Sequence, residues 1–251
     1  MLKIQKGLSI MDKDKSNKRP SIHIAMPCYD SVKIATMISM VKLVKELTLA
    51  GFKFELNTMK SPYVPYARNI LTARFLHRDE DYLLFIDSDL EFEPECVLKM
   101  LIAQKDIMCT PYRMKTNDPN AHKYAVSIKD PRNVKILPGP MVEIQSGPAG
   151  MMLIKRSVFE KLIKDYPKHE VKNHEYDDTF PKDIRVYHFW DCEFKDTIWR
   201  GEDVYFCDLA RQSGFKIYAN LDSTLIHHGG YGYKGQYSDV FKMKKQNGQS
   251  K

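Results

Sequence analysis

The segment Tyr82-Leu83-Leu84-Phe85-Ile86 constrains the chain more than any other. A continuous apolar run without polar alternation suits a parallel strand buried on both faces, because helices cover both sides of such a sheet. Asp87-Ser88-Asp89 follows at once. The strand therefore ends on two carboxylates two residues apart, at the edge where ligands bind in open α/β sheets.

The surrounding pattern alternates strand and helix. Residues 21–26 read as a strand that ends at Pro27. Asp30 or Ser31 is placed to cap the next helix, whose apolar stripe runs Ile34, Met37, Ile38, Val41 and Val44 and which Gly51 closes. Residues 52–56 read as a strand and 65–76 as a helix. Pro94 opens a helix carrying Val97, Leu98, Leu101 and Ile102, and a strand follows at 106–110. This alternation predicts an α/β fold with a mostly parallel central sheet and helices on both faces. The second half predicts a small antiparallel part. Tyr124, Val126 and Ile128 alternate, a turn falls at 130–133, and Val134 and Ile136 resume, as in a hairpin. A strand is expected at 151–154. Ser157 with Glu160 forms a capping box for a short helix ending near Asp165. Residues 166–200 are rich in His, Asp and aromatics without a period, and read as a long functional loop. A helix over 203–213, stopped by Gly214, and short strands at 216–219 and 223–227 complete the pattern.

Composition narrows the function classes. The 251 residues suit one large α/β domain, and 43% hydrophobic content excludes a wholly disordered chain. No run of about 18 apolar residues occurs, so no transmembrane segment is expected. Residues 1–20 are Lys-rich without a long apolar stretch, and read as a mobile basic arm rather than a secretory signal. Residues 236–251 read as a basic tail, leaving 21–235 as a single domain with halves at about 21–115 and 116–235. The five cysteines, at 28, 96, 109, 192 and 207, show no paired spacing and suit free thiols in a reducing, cytoplasmic compartment. The formal charge is +7, much of it at the two ends. Terminal charge of this kind reads as solvated tails. A nucleic-acid partner would need basic and aromatic residues interleaved on one face, which the sequence lacks.

Three segments carry candidate chemistry. Asp87 and Asp89 can both face a hard divalent cation if the backbone turns after the strand, and Mg²⁺ or Mn²⁺ takes oxygen ligands and bridges diphosphates. His227-His228-Gly229-Gly230 follows a short strand, and one of the two histidines could complete the metal's coordination. Trp199-Arg200-Gly201-Glu202-Asp203 opens a helix. Its acidic pair could serve the helix dipole or supply a general base for an acceptor hydroxyl.

In order along the chain, MPCYD, ARNILTARFL with YLLFIDSDLEFEP, SGPAGMMLIKRSVFEKL, and WRGEDVYFCDLARQSGFKIYANLDSTLIHHGG resemble the nucleotide-sugar-dependent glycosyltransferases of the GT-A fold, family-2-like members above all. The resemblance spans about residues 21–235. It implies a nucleotide-binding first half and an acceptor-binding second half. Pro27, Tyr29 and Asp30 would line the base and ribose, and Arg68 and Asn69 would lie near the nucleoside diphosphate. Asp87, Ser88 and Asp89 would handle ribose and metal, with Asp87, Asp89 and His227 holding Mn²⁺ or Mg²⁺. His227 fits the H-x-G-G placement of that family better than His228, which would point away, since neighbouring strand residues face opposite sides. Gly147 and Gly150 would admit donor sugar and acceptor. Asp203, with Glu202 as rival, would be the base of an inverting enzyme. The implied donor is a UDP-sugar and the acceptor a hydroxyl on a glycan. The 166–200 stretch has no counterpart and is expected to set acceptor choice. Trp190 and Trp199 could be core anchors or sugar platforms. No basic helix marks a lipid-linked acceptor. A nucleotidyltransferase would want a glycine-rich basic loop after the first strand, and Met26-Pro27-Cys28-Tyr29-Asp30 lacks one. A nucleic-acid-binding protein and a sugar-binding module without catalysis are the readings from other classes.

Overall fold

The computed structural model describes residues 19–118, 121–171 and 184–241. The first half runs β1 (Ile22–Cys28), α1 (Ile34–Leu49), β2 (Phe54–Lys60), α2 (Val64–Leu76), β3 (Tyr82–Ile86), β4 (Leu90–Glu91), α3 (Glu95–Ala103) and β5 (Ile107–Cys109). The second half runs β6 (Ile136–Leu137), β7 (Met141–Ile144), β8 (Met151–Lys155), α4 (Arg156–Asp165), β9 (Glu170–Val171), β10 (Val186–Tyr187), β11 (Glu193–Lys195), β12 (Ile198–Arg200), α5 (Glu202–Gln212), β13 (Ile217–Asn220), β14 (Leu225–His228) and β15 (Gly232–Gly235).

Eight strands form the central sheet in the order β2-β1-β3-β8-β5-β13-β7-β6. β2, β1, β3, β5, β13 and β6 point one way, and β8 and β7 the other. The fold class is thus the predicted one: α/β, mostly parallel, with small antiparallel sheets beside it. β3 shows why its sequence is apolar throughout. Leu83 and Phe85 join one buried cluster with α2, α4 and α5, while Tyr82, Leu84 and Ile86 join another with α1 and α3. Both faces are covered, so neither residue parity can be polar.

Several local expectations are overturned. Neither Asp30 nor Ser31 caps α1; the N-cap is Lys33, with no side-chain cap bond. The helix also faces the other way. Ile34, Met37, Ile38 and Val41 are exposed, and Thr36, Ser39, Met40, Leu43 and Leu47 are buried. Small polar residues disguised the inner face: Ser39 is buried because its hydroxyl accepts the Phe92 N–H at 3.0 Å. The 130–133 turn forms, closed by Asn133 N–H to the Asp130 carbonyl. Its flanks do not pair as a hairpin, though. Ser127 bridges to Ser146, and β6 pairs with β7 around Gly139, whose φ is +82°. The Ser157 capping box is also absent. β8 runs straight into α4, so Lys155 takes the N-cap position without a side-chain bond.

The 166–200 stretch is not a structureless loop where it is described. It holds the β9–β10 and β11–β12 pairs and sends Phe189 and Trp190 fully into the core. Residues 172–183 lie outside the described residues. Past residue 235, Tyr237 is buried and Val240 and Phe241 pack on the same core. The rest of the expected tail, 242–251, and the arm up to residue 18 lie outside the described residues. All five cysteines are free. Among the described residues no helix is long and apolar enough to cross a membrane.

Candidate active site

The cleft lies at the C-terminal ends of β1 and β3, as the sheet topology requires. It encloses about 360 Å³ and is lined by Pro27 and Cys28 at the end of β1, Tyr29 just after it, Ser61 after β2, and Val64 and Arg68 on α2. Asp87, Ser88, Asp89, Lys115, Glu202 and His227 complete the wall. Residues 60 to 200 positions apart in sequence meet here because three backbone bonds fix the acidic loop. Asp87 N–H donates to the Gly150 carbonyl at 2.8 Å, the Ser88 carbonyl accepts from Lys33 N–H at 2.9 Å, and the Asp89 carbonyl accepts from His228 N–H at 2.8 Å.

The two aspartates face different partners. Asp87 Oδ1 accepts from Arg68 Nη2 at 2.9 Å, and its Oδ2 accepts from the Tyr112 hydroxyl at 3.3 Å. Arg68 is almost fully buried and also reaches Glu202 through Nε at 3.3 Å. It stacks over Phe85 and Trp190, and its Nη1 is buried without a hydrogen-bond partner. Burial disfavours the charge, but Asp87 and Glu202 more than offset it and hold the guanidinium pKa above its ordinary value. Arg68 is therefore a clamp between two carboxylates, one from each half of the chain.

Asp89 faces His227 and Lys115. His227 Nε2 lies 3.5 Å from Asp89 Oδ1, and Lys115 Nζ makes a short ion pair with Oδ2. Burial raises the Asp89 pKa, but hydrogen bonds and charge from His227 and Lys115 win and lower it to about 2. His227 Nδ1 lies 2.9 Å from the Arg113 carbonyl. A carbonyl can only accept, so Nδ1 carries a proton, which leaves Nε2 as the ring nitrogen that faces Asp89 and is available to a metal. His228 points elsewhere, with Nε2 2.8 Å from Glu91.

Asp203 is not among the residues that line the cleft; it lies next to Glu202 in the first turn of α5. Its Oδ1 accepts from Val204 N–H at 2.8 Å. Burial, and next the charge of Glu202, push its pKa up to about 6. That value suits a group that takes a proton near neutral pH. Gly150 abuts Asp87: a Cβ there would collide with the Asp87 carboxylate and the Tyr112 hydroxyl.

Three expected site residues lie elsewhere. Asp30 is exposed and ion-paired to Lys60 at 2.7 Å, which lowers its pKa and turns it from the cleft. Asn69 is buried and saturated by the chain it anchors: Nδ2 donates to the Trp190 carbonyl, and Oδ1 accepts from Phe189 and Trp190 N–H. The space at Gly147 is filled by Cys109 and Ile144, so its missing side chain serves the core. Asp87 is committed to Arg68 and Tyr112, and among the described residues it forms no metal-holding group of three with Asp89 and His227. Trp190 is core, its indole donating to Thr72 at 3.0 Å, whereas Trp199 is exposed on the β11–β12 hairpin. Two contributors escaped the sequence. Lys115 follows an irregular stretch with no spacing signal. Tyr112 lies three residues past β5, where the rule that ligands gather at strand ends could have found it.

No family model matches the chain, and no curated protein matches it. Solved structures give distant likenesses. The crystal structure of A197 from STIV shares 20% identity over 83% of this chain and 86% of that one, with a TM-score of 0.49. A glycosyltransferase involved in glycosylation of the major capsid of PBCV-1 shares 16% over 64% and 71%, at 0.33. The mannosyltransferase PcManGT from Pyrobaculum calidifontis, in complex with GDP-Man and Mn²⁺, shares 9% over 64% and 53%, at 0.34. Likenesses this distant carry no functional argument, and the reading that follows rests on the cleft itself.

Proposed function

We propose that the chain is a metal-dependent GT-A-type glycosyltransferase that binds a nucleoside diphosphate-sugar, UDP-linked, and transfers the sugar to a glycan hydroxyl. The observation that carries this reading is the Asp89–His227 pair, with His227 Nε2 facing a carboxylate at the end of a buried strand and Nδ1 held by the Arg113 carbonyl. One carboxylate oxygen and one imidazole nitrogen fit Mn²⁺ or Mg²⁺ in part, leaving the remaining positions to diphosphate and water. Among the described residues no three His, Cys, Asp or Glu groups close a metal cage. The ion would thus be shared with the donor. When bound, it neutralises charge growing on the leaving diphosphate.

The chain's own residues divide the remaining work. Pro27, Tyr29 and Ser88 line the nucleotide end. Arg68 positions Asp87 toward the donor and Glu202 toward the acceptor side. Lys115 holds Asp89, and with a divalent cation on Asp89 its ammonium would be free for a phosphate oxygen. Gly150 leaves room for the Asp87 carboxylate and the Tyr112 hydroxyl. Asp203 takes the proton of the acceptor hydroxyl, for which burial has raised its basicity, as an inverting transfer requires. Glu202, tied to Arg68, is the weaker candidate for that step.

The test is product analysis. Purified protein with Mn²⁺ and UDP-, GDP- and dTDP-sugars should release a nucleoside diphosphate, UDP above the others. A nucleotidyltransferase would instead release pyrophosphate from a nucleoside triphosphate and a sugar phosphate. That outcome would replace the present reading, and no turnover of any donor would reduce the cleft to a binding site.

A further inference from the structure

Helix α1 is apolar on two opposite sides. Its inner side, Met40, Leu43 and Leu47 with Thr36 and Ser39, fills the core. Its outer side carries Ile34, Met37, Ile38, Val41 and Leu49, between 50% and 73% exposed. The first four sit at i, i+3, i+4 and i+7, one continuous stripe, and the helix is about 24 Å long at 1.5 Å per residue. Scattered exposed aliphatics need no explanation, but a contiguous stripe marks a contact surface. Tyr29 and Val32 extend it toward the cleft, and the Lys33 N–H bond to Ser88 ties its N-terminal end to the acidic loop.

The charges around the stripe choose its partner. Lys33, Lys42, Lys45 and Lys53 are exposed. The acids nearby are Glu46, half-buried, Glu93, which is paired with Lys42, Glu91 and Glu95 on that same flank, and Asp30, which is paired with Lys60. We infer that the outer face of α1 docks on an anionic phospholipid surface. An apolar stripe flanked by lysines is the pattern of a helix lying in the headgroup plane. Lys45 falls in line with Ile34, Ile38 and Val41, and in a bilayer its stem packs with them while its ammonium rises to the phosphates. A second copy of the chain fits worse, because two such faces would bring their lysines together with no acid in the stripe to offset them. The inference stands apart from the proposed chemistry, although a docked α1 would set the cleft beside the lipid surface.

Cosedimentation of the full chain with unilamellar vesicles tests it. Binding is expected to vesicles of phosphatidylcholine containing phosphatidylglycerol, and not to phosphatidylcholine alone. The double variant Ile38→Gln, Val41→Gln keeps the net charge and uses good helix formers at exposed sites, so its melting temperature should match wild type. It should lose vesicle affinity by about tenfold or more. Undiminished binding by that variant would assign the effect to the charged chain ends and overturn the inference. Absence of wild-type binding would overturn it as well. A wild-type dimer in solution that the variant converts to monomer, without vesicle binding, would give the stripe to a second copy.

Discussion

Replacing Asp203 by Asn should stabilise the protein while disabling it. The carboxyl ionises at about 6 in the fold against an ordinary 3.8, because burial and Glu202 disfavour its charge. That difference corresponds to about 3 kcal/mol. The folded protein binds this proton more tightly than the unfolded chain does. Stability is therefore lost as pH rises from about 4 through about 6, and stays lower above. Asn carries no charge at any pH and still offers an oxygen to Val204 N–H. Asp203→Asn should raise stability at pH 8 by up to about 3 kcal/mol, roughly 6–12 °C in melting temperature for a domain of this size, and by nothing near pH 3. Thermal unfolding of both proteins across that range is the assay. In parallel, transfer should fall by about 10² to 10⁴, and the rise of wild-type kcat/KM with pH, centred near 6, should vanish. A variant no more stable than wild type at pH 8 would show that the carboxyl is not held against its charge. Retained transfer, with loss on Glu202→Gln instead, would move the base to Glu202.

Lys115→Met should strengthen Mn²⁺ binding to the nucleotide-free protein, because the ion no longer competes with an ammonium for Asp89; calorimetry with Mn²⁺ alone reads this, and weaker or equal binding would contradict it. Gly150→Ala should abolish donor binding with the fold retained, since its methyl displaces the Asp87 carboxylate and the Tyr112 hydroxyl; normal donor affinity would place the donor elsewhere. Arg68→Met should cost about 2–3 kcal/mol in urea unfolding, at the low end for a broken buried pair because Asp87 and Glu202 keep 24% and 20% of their side-chain exposure. An unchanged urea midpoint would mean that the clamp contributes nothing net.

The sheet was legible because its strands are uniform in character. Tyr82–Ile86 has one environment on both faces, so a short apolar run suffices to place it and the acidic loop at its end. Asp89 is legible from the strand end, and His227 from the H-x-G-G placement that the resemblance implies. Helix α1 was misread because it carries two apolar stripes, and the more regular one is the outer. Periodicity finds stripes but does not say which is buried. The hairpin at 124–136 failed for a related reason: the turn residues were right, yet strand partners are chosen by long-range pairing, here β7 and Ser146. Asn69 beside Arg68 illustrates a limit of motif transfer. Adjacent helix residues point about 100° apart, so one clamps Asp87 and the other anchors the Trp190 segment. Lys115 could not be read at all, because its place depends on how an irregular segment drapes over Gly229.

The most direct measurement is calorimetric titration of UDP into wild type and Asp89→Ala, each with and without Mn²⁺, the variant first shown to be folded by circular dichroism. The account predicts Mn²⁺-dependent UDP binding in the wild type and its loss in the variant. UDP affinity that is unchanged in Asp89→Ala, or that is indifferent to Mn²⁺ in the wild type, would contradict it.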